Sequence, residues 1–169
     1  MQDQPSSRSK FQRTQRVVMV DPHDGSAGIG QAASHDGAGR FRAEYRILVV
    51  DDNRDAAESM RVLLKLMGAN VSTAFDGLEA LEVAETFRPE AVLLDIGMPK
   101  LHGYDTARRF RNEEWGKGIV LVALTGWGRQ EDRQRSEEAG FDGHLVKPVQ
   151  VSALRQLLER LLDRTPPPA

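Results

Sequence analysis

Residues 47–55 read ILVVDDNRD, and this stretch decides the fold. Four apolar residues run directly into two adjacent carboxylates, Asp51 and Asp52. A short, continuous apolar run is typical of a β-strand that is buried on both faces, as in a parallel sheet covered by helices. Because neighbouring carboxylates repel each other, the presence of two of them at the end of a buried strand requires an explanation.

The segments that follow alternate between helix and strand patterns. Strands are predicted at 46–50, 70–74, 91–95, 119–125 and 143–147. Helices are predicted between the N-cap residue Asn53 and Gly68, and across 78–87, 103–114, 128–140 and 151–162. Five strands alternating with five helices require parallel pairing through right-handed crossovers. The sequence therefore predicts an α/β, doubly wound parallel sheet.

Composition bounds the class of protein. The chain has 169 residues, enough for one domain and a tail, and 23 Lys and Arg balance 25 Asp and Glu. This balance argues against a surface devoted to nucleic acid. The absence of cysteine excludes disulfides and thiolate chemistry. No apolar run approaches the ~18 residues of a membrane span, and the polar N-terminus lacks a secretory core. We expect a cytoplasmic protein without nucleic-acid or membrane partners.

The first 44 residues differ from the rest. They are rich in Gly, Ala, Ser and Asp, and their one compact apolar run is VVMV at 17–20. Such a segment cannot bury enough apolar surface to offset its ordering entropy. The glycines of GSAGIG at 25–30 lack the flanking strand, helix and lysine of a phosphate loop. We predict a disordered extension at 1–44, a folded domain at 45–163 and a disordered tail at 164–169.

Five chemically active side chains follow the predicted strands. Asp51 and Asp52 follow the first strand, Asp95 ends the third, Thr125 the fourth and Lys147 the fifth. The carboxyl ends of parallel strands share one edge of a sheet, which is where such folds bind ligands. We therefore expect three carboxylates, a hydroxyl and an ammonium to converge there.

This set of side chains suits phosphoryl transfer with a hard cation. Clustered carboxylates without Cys or His ligands favour Mg²⁺, which often shares its shell with phosphate. Lys147 offers a point charge to a phosphoryl oxygen, and the Thr125 hydroxyl can donate to another. A carboxylate beside Mg²⁺ is a plausible nucleophile toward phosphorus, giving an aspartyl-phosphate.

Four motifs, in order at successive strand ends, resemble a known family. Over 46–162 the chain looks like the receiver domain of bacterial two-component response regulators. The longer stretch LTGWGRQEDRQRSEEAGFDGHLVKPV is similar to receivers attached to hybrid sensor kinases. The motifs that carry the resemblance are VVDDN (49–53), LLDIGMP (93–99), ALTG (123–126) and LVKPV (145–149).

The resemblance implies a (βα)5 flavodoxin-like sheet of strand order 2-1-3-4-5 and a role for each acid. Asp95 would be the phosphoacceptor. Asp52 would bind Mg²⁺ directly, Asp51 mainly through water, and the main-chain carbonyl of Gly97 would complete the protein ligands.

The resemblance also implies the remaining site residues. Lys147 would bridge Asp95 and the phosphoryl group, and the Lys147–Pro148 bond would be cis. Thr125 would bind a phosphoryl oxygen and carry the switch. His144 stands where the family often has Tyr or Phe, so this chain departs from the usual aromatic partner of the threonine.

Partners follow from the same resemblance. A sensor histidine kinase or a phosphotransfer protein would donate the phosphoryl group. A downstream protein would bind the face formed by helix 128–140, strand 143–147 and helix 151–162. No helix-turn-helix, methylesterase or cyclase follows residue 162, so we expect a stand-alone receiver or a receiver piece of a larger kinase.

Two other functions remain open at this stage. A haloacid-dehalogenase-type phosphatase also uses an Asp nucleophile with Mg²⁺, but it places a second acid two residues later, where this chain has Gly97. A receiver-like scaffold that binds partners without phosphorylation is the other alternative.

Overall fold

The fold is a parallel sheet with helices on both faces. The structure, a computed structural model, describes residues 18–19, 41, 43–98, 102–126 and 130–163. The main strands are β1 (Arg46–Val50), β2 (Asn70–Ala74), β3 (Ala91–Asp95), β4 (Val120–Thr125) and β5 (Gly143–Val146). They are parallel, in the order β2-β1-β3-β4-β5. This confirms the predicted doubly wound, flavodoxin-like sheet.

Five helices alternate with these strands, as predicted. The Asn53 side chain caps the first helix by accepting from the amides of Asp55 and Ala56 at 3.0 and 3.1 Å. Gly68, with φ of 95°, follows its C-terminal end. The helices are α1 (Arg54–Leu66), α2 (Gly77–Phe87), α3 (Gly103–Asn112), α4 (Gln130–Ala139) and α5 (Val151–Leu162).

The third helix is shorter than predicted. α3 ends at Asn112 rather than at residue 114, because Glu113 adopts an extended backbone and a 3-10 turn, Glu114–Gly116, follows. A Cβ on Gly116 would lie 1.9 Å from the Phe110 carbonyl oxygen, so the turn packs closely against α3. Residues 128–129 of the predicted helix 128–140 lie outside the described residues.

The continuous apolar strands reflect two cores. Ile47 and Val49 of β1 pack in a cluster with α1 and α5. Leu48 and Val50 point the other way, into a cluster with α2 and α3. Successive side chains of a strand alternate between faces, so a sheet covered on both faces needs apolar residues at every position. This arrangement leaves the strand ends at the sheet edge as the place for polar side chains.

A short strand extends the sheet beyond the prediction. Residues Val18–Met19, the N-terminal edge strand, pair parallel with β5, with Val18 opposite Gly143 and Met19 opposite His144. Disorder over 1–44 is therefore wrong for these two residues, because the outer edge of β5 offers a backbone partner to the apolar run. The rest of 1–40 and the predicted tail at 164–169 lie outside the described residues.

The described chain resumes at Phe41, which is anchored on the first helix. The Phe41 amide donates to the Met67 carbonyl at 2.7 Å, and its ring meets the Tyr45 ring edge-on at 5.5 Å. The Tyr45 hydroxyl in turn donates to Asp163 at the end of α5. Among the helices of the described residues, none has the length and apolar composition to cross a membrane.

Candidate functional site

The sheet edge at the strand carboxyl ends brings the three predicted acids together. One carboxylate oxygen from each of Asp51, Asp52 and Asp95 lies within 4.8 Å of the others. Asp51 and Asp95 are buried, at 4% and 8% exposed, whereas Asp52 is exposed. Because two of the three carboxylates are shielded from water, their mutual repulsion is strong unless positive charge offsets it.

Lys147 supplies part of that positive charge. Its ammonium Nζ lies 3.1 Å from Asp51 Oδ2 and 3.4 Å from Asp95 Oδ2. Burial lowers the pKa of Lys147, but the hydrogen bond to Asp51 and the charges of Asp95 and Asp51 outweigh it, so the pKa lies above its ordinary value. Lys147 is therefore charged at neutral pH. It directly follows β5, and its own bond to Pro148 is cis.

Backbone amides fix the other oxygen of each buried acid. Asp51 Oδ1 accepts from the Asn53 amide at 2.9 Å, and Asp95 Oδ1 accepts from the Gly97 amide at 3.0 Å. Asn53 thus has two functions, since its side chain also caps α1. Each buried carboxylate is held on one side by the backbone and on the other by the Lys147 ammonium, which leaves little freedom to reorient.

Thr125 and His144 lie on the two neighbouring strands. Thr125 is buried at the end of β4, and its carbonyl accepts from the Lys147 amide at 2.7 Å. His144 is buried in the middle of β5, in register with Ala123 of β4 and Met19 of the N-terminal edge strand. The structure therefore brings Thr125 to the same edge of the sheet as Asp95. His144 lies further from that edge, three residues before Lys147 in the chain.

Gly103 is a positioning residue that sequence reasoning missed. It is the first residue of α3, and a Cβ on it would lie 2.7 Å from the Asp95 carbonyl oxygen and 2.8 Å from Ile96 Cα. Helix α3 thus begins directly against the backbone of the acid-bearing loop. Glycine just inside a helix start was the available sequence signal.

A second feature that sequence reasoning missed is a cation at the rim of the acidic edge. The Arg54 guanidinium carbon, at the start of α1, lies 4.0 Å from the centre of the Phe75 ring that follows β2. Such a cation–π contact holds a flexible side chain at a defined place.

His102 lies elsewhere. Among the described residues, the acid cluster groups Asp51, Asp52 and Asp95 without it, and His102 instead lines a cavity of about 410 Å³ between α3 and α4.

The donor set fits a divalent cation. The three carboxylates of the cluster outnumber the one ammonium that contacts them. The three grouped ligands are all hard oxygens, which favours Mg²⁺ over metals that prefer thiolate or imidazole. The residues present therefore fit the Mg²⁺ that the sequence suggested.

Comparison with known proteins identifies the same family that the four sequence motifs resemble. Residues 47–159 match the family model of the response regulator receiver domain. The "Uncharacterized 14.6 kDa protein in sodA1 3'region" of Leptolyngbya boryana is 35% identical, covering 75% of this chain and 97% of that protein. Response regulator MprA of Mycobacterium avium is 38% identical, covering 72% of this chain and 53% of its own length. The chain thus spans about half the length of this mycobacterial relative.

A solved structure is similar in fold and sequence. The receiver domain of the sensor histidine kinase PA1611 from Pseudomonas aeruginosa PAO1 superposes with a TM-score of 0.66 at 33% identity, covering 72% of this chain and 99% of that one. That structure has a magnesium ion coordinated in its active site cleft. This chain belongs to the same family and is the receiver domain of a response regulator in two-component signalling.

Proposed function

We propose that this receiver takes a phosphoryl group onto Asp95 from the phosphohistidine of a sensor kinase or phosphotransfer protein in the cytoplasm. One observation carries the proposal. The Asp95 carboxylate is held between the Gly97 amide and the Lys147 ammonium, with the oxygens of Asp51 and Asp52 within 4.8 Å. A fixed nucleophile beside a cation-binding acid pair is what phosphoryl transfer needs, since the reaction depends on position and charge neutralisation.

The proposed transfer needs only the Asp95 carboxylate and the phosphohistidine of the donor as reacting groups. A carboxylate oxygen of Asp95 attacks phosphorus, the phosphorus–nitrogen bond breaks, and the imidazole leaves with the electron pair and takes up a proton. Lys147 offsets the charge on the phosphoryl oxygens from its position between the buried acids. Mg²⁺ would be held by Asp52, Asp95, the Gly97 carbonyl and, through water, Asp51. It would neutralise further phosphoryl charge.

The proposed output step uses β4 and β5, the strands that connect the site to the face formed by α4, β5 and α5. The Thr125 hydroxyl would bind a phosphoryl oxygen, and β4 and β5 would transmit its displacement to the face formed by α4, β5 and α5. His144 would move with Thr125 in place of the usual aromatic residue. Phosphorylation then acts as a local charge event that biases a two-state element, and a downstream protein reads the result through that face.

The test is chemical labelling. Incubation with acetyl phosphate and Mg²⁺ should add one phosphoryl mass to the intact protein, and Asp95→Ala should abolish the gain. Asp105→Ala, which removes an exposed acid on α3, is the matched control and should label normally. Equal labelling of the Asp95→Ala protein would overturn the proposal, and release of many phosphates per protein from a phosphate ester would indicate a phosphatase instead.

A further inference from the structure

The N-terminal edge strand lies beside the strand that carries the site lysine. In the order β2-β1-β3-β4-β5, β5 is the last main strand, and its outer edge would present unpaired backbone groups. Val18–Met19 cover that edge in parallel register with Gly143 and His144. The edge next to the proposed output face is therefore occupied by a segment of the chain itself.

One backbone amide reports on this pairing. The Lys147 amide donates to the Thr125 carbonyl, so it faces β4. Peptide groups alternate in direction along a strand, so the Leu145 amide also faces β4 and the His144 amide faces outward. His144 lies opposite Met19. The His144 amide is thus turned toward the N-terminal edge strand, and the Leu145 amide beside it is turned toward the centre of the sheet.

We propose that the outer edge of β5 is a docking surface for an extended, β-branched segment, and that the chain's own Val18–Met19 occupy it intramolecularly. Main-chain pairing supplies affinity in such strand addition, and the valines of VVMV have high strand propensity. The segment is the compact apolar run in an otherwise polar extension, which explains why this part of residues 1–44 reaches the sheet.

The chain is long enough for the intramolecular arrangement. Phe41 is fixed on the Met67 carbonyl, and residues 20–40 join it to the N-terminal edge strand. At up to about 3.3 Å per residue these residues can span several tens of ångströms, whereas four strand spacings, about 19 Å, separate the N-terminal edge strand from β1 across the sheet. A short tether of this kind gives a high effective concentration, on the order of millimolar.

The docked segment restricts access to the output face. This step rests on the proposed function, in which β5 lies at the centre of the surface that a downstream protein reads. A partner that adds a strand to β5 must displace Val18–Met19, whereas one that binds only α4 or α5 need not. The segment therefore selects against partners, and against second copies of this chain, that would pair with the sheet edge.

Hydrogen exchange of the two amides tests the proposal in the full chain. In the wild type, both the His144 and Leu145 amides should exchange slowly. Successive residues of a strand face opposite edges, so only one of the Val18 and Met19 amides can face β5. Val18→Pro/Met19→Pro removes that amide whichever it is and should release the segment. The His144 amide then loses its backbone acceptor and should exchange about tenfold or more faster, the loss of one hydrogen bond, with Leu145 unchanged. The control Val18→Ile/Met19→Leu should match the wild type. Equal His144 exchange in all three proteins would overturn the proposal.

Two further measurements complete the test. A peptide of residues 15–22, QRVVMVDP, added to the proline variant should restore slow exchange at His144. Where the prolines also speed Leu145, recovery at His144 with the peptide supports the proposal and no recovery overturns it. The oligomeric state is measured by sedimentation. If the His144 amide is protected only at concentrations where the protein is dimeric, the intramolecular assignment is overturned. None of these readouts needs Mg²⁺ or a phosphoryl donor, so failure to phosphorylate Asp95 is a separate result.

Discussion

The adjacent acids Asp51 and Asp52 have different environments, and this difference predicts different functions. Asp51 is buried, and its two oxygens accept from the Asn53 amide and the Lys147 ammonium. Asp52 is exposed at the same edge. Asp51 is therefore suited to orient Lys147 and the start of α1, whereas the solvent-open carboxylate of Asp52 is suited to enter the coordination shell of a cation beside Asp95.

The first prediction concerns magnesium affinity. Asp52→Asn should weaken Mg²⁺ binding more than Asp51→Asn, because the first removes a direct ligand and the second an acid that acts through water and Lys147. Loss of such an outer partner typically costs about 10–100-fold in affinity. Isothermal titration with Mg²⁺ measures the order, and Asp55→Asn, an exposed acid in the first turn of α1, is the control. A larger loss for Asp51→Asn would reverse our assignment of the two acids.

The second prediction concerns the charge on Lys147. Burial lowers its pKa, and the hydrogen bond to Asp51 and the charges of Asp95 and Asp51 raise it to a net value above normal. Because the folded-state pKa is raised, the stabilisation is complete below the ordinary lysine pKa of about 10.4 and is lost as the pH rises through the folded value. Asp51→Asn should lower the pKa of Lys147, and Asp52→Asn should change it less. Side-chain NMR during alkaline titration measures both, and equal shifts would contradict the prediction.

At the scale of elements, helix α3 connects the site to the opposite end of the sheet. Its first residue, Gly103, lies against the backbone of Asp95 and Ile96.

The other end of α3 is held by Arg111, near the last turn. Arg111 donates to the carbonyls of Gly140, Gly116 and Ile119. The Arg111 guanidinium also pairs with Asp142 at 2.7 Å, and the same Asp142 oxygen accepts from the Leu121 amide. The helix is therefore fixed at both ends, at one by close packing and at the other by a charged fork.

The third prediction tests the packed end. Gly103→Ala introduces a Cβ that must displace α3 from the Asp95 backbone, which should cost about 1–3 kcal/mol of unfolding free energy. It should also slow acetyl phosphate labelling, because Asp95 moves relative to Lys147. Urea denaturation and intact mass give the two readouts. Gly118→Ala is the matched control, since a Cβ there meets nothing within 4 Å. Unchanged stability in Gly103→Ala would show that α3 can shift without cost.

The fourth prediction tests the charged end. Arg111→Met removes the charged donor of Asp142 and of three carbonyls in a largely buried place, which should cost about 3 kcal/mol of unfolding free energy. Arg108→Met on the same helix removes an exposed pair with Asp105 and should cost at most about 1 kcal/mol. Urea denaturation of both variants measures the difference. Similar losses would mean that the Arg111 network contributes no more than an ordinary surface pair.

At the scale of the whole molecule, the sequence predicted what local pattern and strand order determine. The run ILVV indicated a strand buried on both faces, and its residues divide between two cores. Asn53 indicated a cap, and the strand ends indicated which acids converge. These inferences succeed because periodicity, capping and parallel pairing depend on residues near in sequence or on a single topological rule.

The features that the sequence did not reveal depend on which residues meet in space. A glycine at the start of α3 was visible in the sequence, but the Asp95 backbone that packs against it was not. Asp142 pairs with Arg111 from 31 residues away, and no local pattern indicates that pair. The apolar run VVMV was visible, but only the free edge of β5 makes a strand of Val18–Met19. Each case needs a partner whose position is known only after folding.

The two cores also predict an order of local stability. Of the α4 side chains described, at 134–139, only Ser136 and Ala139 are buried, whereas α5 buries Leu154, Leu157, Leu158, Leu161 and Leu162. Fewer buried apolar contacts mean a lower free energy of local opening. The amides of 134–139 should therefore exchange hydrogen well before those of 154–162, as residue-resolved exchange by NMR would measure.

Low stability would make α4 the element that phosphorylation shifts most easily. A small change in interaction energy moves the population of a marginal helix further than that of a well-packed one. Beryllofluoride with Mg²⁺, a phosphoryl mimic, should thus change exchange in 134–139 more than in 154–162, and Asp95→Ala should abolish the change. Equal protection of the two helices in the unmodified protein would contradict the order of stability. A response confined to α5 would move the switch from α4 to the last helix.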